Sequence, residues 1–510
     1  MSRNTALILS GAGSAFFSIY PYIFLYFYYF VNSLPSVILA NTRINDRIWS
    51  TEDYILKLKM KKPSLLKAIL PGNGSAGYIF VPVAVEMILA VLIFVQSRTA
   101  AMNYLYALVV MLFVTAAWGT YEYNRGGDMK LFAAIASLCA FGVGVQLVID
   151  EVYPVRTTFS ALKYAVSAAV AGCFLLFYSL FRKILDRPWT IWLMIAASVI
   201  LFAVLKIWGI DPNGYGTYAW IKIKSYTVQL TDFTKVFAVL FYSSLFSSRA
   251  KHDEKQVLII SSIYLAVNLI GCLLVRELGS FFILFFLHLS VLFIFLPKGK
   301  VKRTYLLAIA GITVSALAAA YILYKILYPK AQAGELSGVL RLIWPYVRKI
   351  YQRFSITANI QNDPYGAGYQ LLQGKKVLWI SGLYGNTVNF NAIPVPESDM
   401  AFIALVNAFG LPAGLLAVLM FMRIMLSGSE LALRLLRISV QDGVVVYGAT
   451  VLLVVQALLV IFGSCNLIPL AGLPIPFLSR GFTYQTIVFC FSGLLMMLSR
   501  QEGGESNVTA

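Results

Sequence analysis

The feature that most constrains this chain is a series of hydrophobic stretches separated by short polar connections. Each stretch is close to the roughly 20 residues that an α-helix needs to cross a lipid bilayer. The stretches lack the alternation of apolar and polar residues that is typical of membrane β-barrels. The sequence therefore predicts an all-α fold, a polytopic membrane helix bundle.

Composition agrees with this prediction. The 510 residues are 59% hydrophobic and only 12% charged, whereas soluble domains carry about 25% charged residues. About 13 transmembrane helices are predicted, near residues 8–40, 78–97, 101–119, 130–149, 159–181, 188–208, 230–248, 256–275, 279–296, 304–326, 400–422, 443–464 and 481–499. Pro21 and Pro35 interrupt the first stretch, so that stretch is either one kinked helix or two short ones.

The charged residues orient the chain. Lys and Arg number 41 against 22 Asp and Glu, a net charge of +19. The basic residues cluster in alternate connections, which is typical of cytoplasmic loops and argues against nucleic-acid binding. These connections are 43–67, 125–130, 182–187, 249–255, 298–303, 423–437 and the tail after Arg500. The segment 327–399 is then expected to lie outside the cell.

Residues 353–399 form the most polar part of that outer segment. Arg353 precedes by ten residues the sequence Asp363-Pro-Tyr-Gly-Ala-Gly-Tyr-Gln370. Loops this long are uncommon between helices and are often functional. The other outer connections, 209–228, 275–279 and 465–480, are expected to converge on the same face. The five cysteines stand singly, so no metal or disulfide framework is predicted.

Five separated motifs carry a resemblance to a known family. They are Gly216 to Trp220 followed by Gln229-Leu-Thr-Asp232-Phe-Thr-Lys235; Arg276-Glu277-Leu-Gly279; Arg353 with the Asp363 loop; Pro396-Glu397-Ser398-Asp399; and Pro469 to Gly481, which ends in Ser479-Arg480-Gly481. In this order, over roughly residues 130–500, they resemble the SEDS proteins of the RodA, FtsW and SpoVE type. Leu230, Glu277, Val406-Asn407 and Arg480-Gly481-Phe482 depart from the family pattern, which indicates a divergent member.

The resemblance implies a peptidoglycan glycosyltransferase that polymerises lipid II, the undecaprenyl-diphosphate-linked disaccharide-peptide. It would act at the outer face of the bacterial cytoplasmic membrane in cell elongation, division or sporulation, with a class B penicillin-binding protein as transpeptidase partner. The implied domains are an extension of about three helices with a basic loop (1–129), a ten-helix core including the loop 327–399 (130–500), and a cytoplasmic tail (501–510).

Asp363 is the candidate catalytic residue. Transfer of a sugar from a diphosphate to a hydroxyl requires a base for the acceptor proton. Gly366 and Gly368 would let a substrate approach the backbone beside this carboxylate. The alternative is structural, because an Asp before a proline often caps a turn.

Arg353 and Lys235 are the candidate ligands of the diphosphate, since cations offset the charge that grows on a leaving diphosphate. Lys235 lies three residues after Asp232, so an ion pair within one helix is an equal alternative. Arg353 ends a predicted amphipathic helix with Arg341, Arg348 and Lys349. It could instead contact the headgroups of membrane lipids.

Further substrate-binding candidates are Glu277, Glu397, Asp399, Arg480 and Gln370. The acids could instead pair with Arg276 or Arg480, and Gln370 could satisfy loop backbone. A divalent cation, Mg²⁺ or Mn²⁺, is the candidate cofactor, although no ligand spacing requires a metal. Two other functions stay open: a flippase of lipid-linked precursor, and a non-catalytic scaffold for a transpeptidase.

Overall fold

The computed structural model describes residues 75–500 apart from 97, 153–159, 213, 215, 225, 248–251, 278, 298, 367 and 387–391. The predicted stretch at 8–40, the basic loop 43–67 and the tail 501–510 lie outside the described residues. The number of helices predicted before residue 75 therefore stays a prediction.

The described chain is mostly helical. Every span predicted after residue 75 coincides with a helix or a broken pair of helices, which confirms the all-α fold. The helices are α1 (Phe80–Gln96), α2 (Arg98–Asn124), α3 (Met129–Val152), α4 (Ser160–Leu176), α5 (Tyr178–Leu185), α6 (Trp189–Trp208), α7 (Thr231–Ser247), α8 (Glu254–Leu274), α9 (Gly279–Phe295), α10 (Lys300–Gln332), α11 (Gly338–Ala358), α12 (Tyr369–Ser381), α13 (Ala401–Phe409), α14 (Leu411–Leu435), α15 (Val440–Ser464) and α16 (Phe482–Ser499). A short antiparallel hairpin, β1 (Trp220–Ile223) and β2 (Tyr226–Gln229), pairs Trp220 with Gln229.

Within the described residues, nine helices are long and apolar enough to cross a membrane, and the pair α4 and α5, bent by 54°, makes a tenth candidate. The chain is thus a multi-pass membrane protein. Helices α3 and α15 form the centre of the bundle, because 94% and 83% of the residues in their apolar membrane-spanning stretches are buried. Helix α10 lies at the periphery, because 0% of the residues in its apolar stretch are buried.

The span predicted near 400–422 is broken at Gly410. This glycine has φ +85, a left-handed conformation that residues with a Cβ avoid. A Cβ at Gly410 would overlap the carbonyl oxygen of Leu383. Helix α13 therefore ends at Phe409 and α14 starts at Leu411, so the single predicted helix is two.

Residues 465–481, called here the inserted segment, connect α15 to α16 without forming a helix, and residues 473–480 of this segment are buried apart from the half-buried Pro474. Buried backbone carbonyls need donors. Side chains from three helices supply them: Gln456 Nε2 donates to the Pro474 carbonyl (2.7 Å), Tyr164 Oη to that of Phe477 (2.6 Å) and Gln146 Nε2 to that of Leu478 (2.8 Å). The inserted segment is therefore held rigidly against α3, α4 and α15.

Helices α1 and α2 belong to the same bundle. Both pack on α3. Gln96 Nε2, at the end of α1, donates to the carbonyls of Tyr384 and Ala408, each at 2.9 Å. At the opposite end of the bundle, Arg500 Nε donates to Glu122 Oε2 at 2.8 Å, which joins α2 to the end of α16.

Candidate functional site

Four connections meet at one end of the bundle, called here the loop end. Tyr218 N donates to the Val275 carbonyl at 2.9 Å, and Arg480 N donates to the Glu397 carbonyl at 2.9 Å. The predicted convergence of the outer loops on one face is therefore seen in the structure. The connections are 209–230, 275–279, 333–400 and 465–481.

Helix α11 presents its cations on two sides. Arg341 and Arg348 are exposed, whereas Lys349 and Arg353 are partly buried and turn towards the bundle. The Arg353 guanidinium donates from Nη1 to the Ala471 carbonyl of the inserted segment at 3.3 Å. The structure thus directs Arg353 to protein rather than to lipid headgroups, which favours its predicted place in the site.

Arg353 and Asp399 lie beside Gly472, and Glu277 attracts the charge of Arg353. A Cβ at Gly472 would lie 3.5 Å from Asp399 Oδ2 and 4.0 Å from Arg353 Nη2. Burial raises the pKa of the Asp399 carboxyl to about 6. The hydrogen bond from the Ser398 hydroxyl to this carboxyl and the positive charge of Arg353 both act to lower the pKa. Burial likewise lowers the pKa of the Arg353 guanidinium, against the attraction of Asp399 and Glu277. We call these three residues and Gly472 the central cluster.

Glu277 is almost fully enclosed, at 7% exposure. Its Oε1 accepts the Ser280 N–H at 2.9 Å and the Ser280 hydroxyl at 3.0 Å, so it caps the first turn of α9. Its Oε2 is buried without a hydrogen-bond partner among the described residues. One carboxylate oxygen therefore holds the fold, and the other is available for a ligand.

Arg480 and Glu397 lie in a second group, on the side of α3. Arg480 Nη2 forms an ion pair with Asp150 Oδ1 at 2.8 Å, and Arg480 is 8% exposed. Gln146 Nε2 also approaches the Glu397 carbonyl at 3.4 Å. The sequence left open a pairing of Arg480 with Glu277, Glu397 or Asp399, whereas the ion pair seen joins Arg480 to Asp150, an acid at the end of α3.

Lys235 lies in the bundle interior. Its Nζ is 2.7 Å from Asp232 Oδ1, and the two side chains are 2% and 1% exposed. The ammonium also lies 4.9 Å from the centre of the Tyr484 ring. The ion pair within one helix is therefore present, and a contact of Lys235 with diphosphate stays a prediction.

Asp363 lies in a tight turn after α11. Its Oδ1 accepts the Gly366 N–H at 3.0 Å, and its carbonyl accepts the Gly368 N–H at 2.9 Å. A Cβ at Gly366 would come within 2.5 Å of the Asp363 carboxylate oxygens, and one at Gly368 within 2.6 Å of the Asp363 carbonyl. Both glycines are therefore needed by the turn itself, and the approach of a substrate to their backbone stays a prediction. The carboxylate stays half-buried and can face a substrate.

Gln370 follows this turn in the first residues of α12. Its Nε2 is buried without a hydrogen-bond partner in the part of the chain that the structure describes. The alternative, that Gln370 satisfies loop backbone through this donor, is therefore not seen.

A model of the family described as "Cell cycle protein", of the FtsW, RodA and SpoVE type, matches residues 129–503. The chain belongs to this family. The match begins at the start of α3, so α1 and α2 precede it.

Two curated family members illustrate the relationship. The probable peptidoglycan glycosyltransferase FtsW of Enterococcus hirae is 25% identical over 353 residues, covering 66% of this chain and 81% of that protein. Stage V sporulation protein E of Bacillus subtilis is 24% identical over 323 residues, covering 62% of this chain and 80% of that protein.

A solved structure described as a peptidoglycan synthase complex that coordinates polymerization and crosslinking matches with a TM-score of 0.55 at 18% identity, covering 74% of this chain and 98% of that one. The chain thus shares its fold with a chain of that solved complex.

Sequence reasoning missed three residues of this family member's loop end. Lys349 was grouped with lipid-facing cations, although its spacing of four residues from Arg353 already places both on one helical face. Gln146 and Asp150 also lie four residues apart, on α3. A carboxylate at the end of an apolar span is by default a functional candidate, and that signal was available for Asp150.

The donor set does not form a preorganised metal centre. No group of three or more His, Cys, Asp or Glu side chains gathers anywhere in residues 75–500 that the structure describes. The acids of the central cluster instead surround Arg353.

Proposed function

We propose that this chain is a glycosyltransferase that polymerises lipid II into glycan strands. The observation that carries the proposal is the family match over residues 129–503, whose members include proteins named peptidoglycan glycosyltransferases. Its support from geometry is the loop end, where the partly buried Arg353 lies on α11 and the half-buried carboxylate of Asp363 lies in the turn that follows this helix.

Asp363 acts as the general base in this mechanism. Its carboxylate takes the proton of the acceptor sugar hydroxyl while the hydroxyl oxygen forms the new bond to the anomeric carbon of the donor. The bond between that carbon and the diphosphate breaks, and undecaprenyl diphosphate leaves with the electron pair. The Gly366 N–H holds one carboxylate oxygen, which fixes the direction of the base.

Arg353 stabilises the charge that develops on the diphosphate. Fixed donors in a site shielded from water stabilise a developing charge more strongly than water does, because they need no reorganisation. The bond from Arg353 to Ala471 fixes the guanidinium before substrate arrives. Glu277, Glu397, Asp399, Gln370 and Arg480 are proposed to line the same substrate cleft.

Metal dependence stays a prediction of the proposal. Mg²⁺ is commonly held by one or two carboxylates together with substrate phosphates, so Asp399 and Glu397 could contribute to such a site. A requirement for Mg²⁺ or Mn²⁺ would appear as loss of activity with EDTA and recovery with the added ion.

We further propose that the protein lies in the bacterial cytoplasmic membrane and works with a class B penicillin-binding protein as transpeptidase. The support is the fold shared with a chain from a synthase complex that couples polymerization to crosslinking. The basic connections predict the orientation that would place the loop end outside.

The test uses the full chain in liposomes with fluorescent lipid II. Glycan polymer is expected from the wild-type protein, and Asp363→Ala should produce none. Polymer that forms equally well with Asp363→Ala would contradict the mechanism. Movement of lipid II across the bilayer without polymer would contradict the enzyme and indicate a flippase.

A further inference from the structure

Lys349 lies one helical turn before Arg353, on the face of α11 that turns towards the bundle. Two cations at this spacing repel each other, which destabilises an isolated helix. Burial lowers the pKa of the Lys349 ammonium, and Arg353 lowers it further, although Glu277 and Asp211 attract the charge. Burial and the neighbouring Arg353 thus both disfavour a positive charge at position 349, yet the residue there is a lysine.

The ammonium of Lys349 is held in place by neutral oxygens. Its Nζ donates to Thr217 Oγ1 at 3.1 Å and to the Arg276 carbonyl at 3.2 Å. A lysine ammonium has three N–H donors. The third has no partner among the described residues, so the charge is oriented but one donor is unused.

Four partly or fully buried cations of the described residues are paired directly with a carboxylate. The ion pairs are Lys235 with Asp232, Arg480 with Asp150, Arg182 with Asp442 and Arg500 with Glu122, at 2.5–2.9 Å. Lys349 and Arg353 differ from these four cations, because their hydrogen bonds reach only hydroxyl and carbonyl oxygens. Charges held without a direct counter-ion fit an anionic ligand.

Resting on the proposed function, we propose that Lys349 binds the diphosphate of lipid II together with Arg353, donating its third N–H to a phosphate oxygen. Thr217 and the Arg276 carbonyl direct the ammonium, and the gap at Gly472 leaves room beside the guanidinium. The site then has two cations four residues apart on one rigid helix, a suitable spacing for the two phosphates of a diphosphate.

The phosphate of an anionic phospholipid headgroup could accept the same hydrogen bond from Lys349, and the experiment distinguishes such a headgroup from the diphosphate of lipid II. Binding of fluorescent undecaprenyl diphosphate is measured without turnover, in phosphatidylcholine liposomes with and without phosphatidylglycerol. The variants are Lys349→Ala, Lys349→Gln and Lys349→Arg. Arg348→Ala is the matched control, because it removes the same charge from the neighbouring, exposed position.

Lys349→Ala should weaken binding about 10- to 100-fold in both lipid mixtures, as loss of a charge-assisted hydrogen bond predicts. Lys349→Arg should recover part of the affinity, and Arg348→Ala should stay within about twofold of the wild-type protein. If Lys349→Ala does not fold, Lys349→Gln keeps a donor for Thr217 without the charge and gives the same expected loss.

Equal effects of Lys349→Ala and Arg348→Ala would overturn the inference, as would a loss that appears only with phosphatidylglycerol. Binding that depends on Lys349 in a protein that forms no polymer would support this inference and contradict the proposed polymerase. The failure of one proposal is therefore distinguishable from the failure of the other.

Discussion

Lys235 and Asp232 form an ion pair in the bundle interior, with Nζ and Oδ1 2.7 Å apart and both side chains at most 2% exposed. The pair stabilises α7 beside Tyr484 of α16. A charge in this position needs its partner, because an uncompensated ion in a membrane-spanning bundle is strongly unfavourable.

Replacement of one member of this pair should destabilise the fold. Asp232→Ala leaves the ammonium uncompensated and is expected to lower the free energy of unfolding by about 3–5 kcal/mol. The double variant Asp232→Leu with Lys235→Met should recover much of that loss. Thermal unfolding in detergent measures both. A double variant that folds but no longer binds lipid II would identify Lys235 as a diphosphate ligand as well.

The Asp399 carboxyl should make stability depend on pH. Its pKa in the folded protein is about 6, above the ordinary value of 3.8, so the folded state holds its proton more tightly than the unfolded state. Its contribution is therefore fully present below about pH 4 and is lost as pH rises through about 6. Asp399→Asn should flatten this part of the profile of melting temperature against pH. An unchanged profile in Asp399→Asn would show that another group titrates there.

Gly472 should be needed for activity because of the space beside it. In Gly472→Ala the new methyl group would lie between Asp399 and Arg353, where substrate phosphate is proposed to bind. Gly334→Ala is the matched control: Gly334 has φ +74 against +66 at Gly472, but nothing lies within 4 Å of its Cβ position. We expect a fall of at least about tenfold in kcat/KM for Gly472→Ala only. Equal losses in the two variants would indicate backbone strain as the cause.

The break at Gly410 should be required for folding. Gly410→Ala would place a methyl group on the Leu383 carbonyl and force an L-residue to φ +85. We expect a loss of stability well above about 1 kcal/mol. Gly311→Ala, in the middle of α10 with open space around it, should be neutral or stabilising by up to about 1 kcal/mol. The two melting temperatures, measured in one detergent, should move in opposite directions or differ by several degrees.

The helices after residue 75 could be predicted from the sequence, because each apolar span is a local property of about 20 consecutive residues. The break at Gly410 could not, since it depends on the approach of Leu383, which is 27 residues away along the chain. The sequence Gly410-Leu411-Pro412 is the local sign of this helix break, because glycine and proline both interrupt helices.

The candidate site was predicted in part. The motifs named Arg353, Asp399 and Glu277; in the structure Arg353 and Asp399 lie beside Gly472, and Glu277 attracts the charge of Arg353. Pairings such as Arg480 with Asp150 join residues 330 positions apart, so only the packing of α3 against the inserted segment reveals them. Which side of α11 faces the bundle likewise follows only from how α11 packs on the 275–279 turn, to which Lys349 donates a hydrogen bond.

The most direct test of the central claim compares wild-type protein with Asp363→Asn. Asparagine keeps an oxygen that can accept the Gly366 N–H, so the turn, the melting temperature and lipid II binding should be unchanged. The amide cannot take the acceptor proton, so kcat for polymerisation should fall by about 10²- to 10⁴-fold. A kcat within threefold of the wild-type value, at unchanged binding, would contradict the assignment of Asp363 as the base.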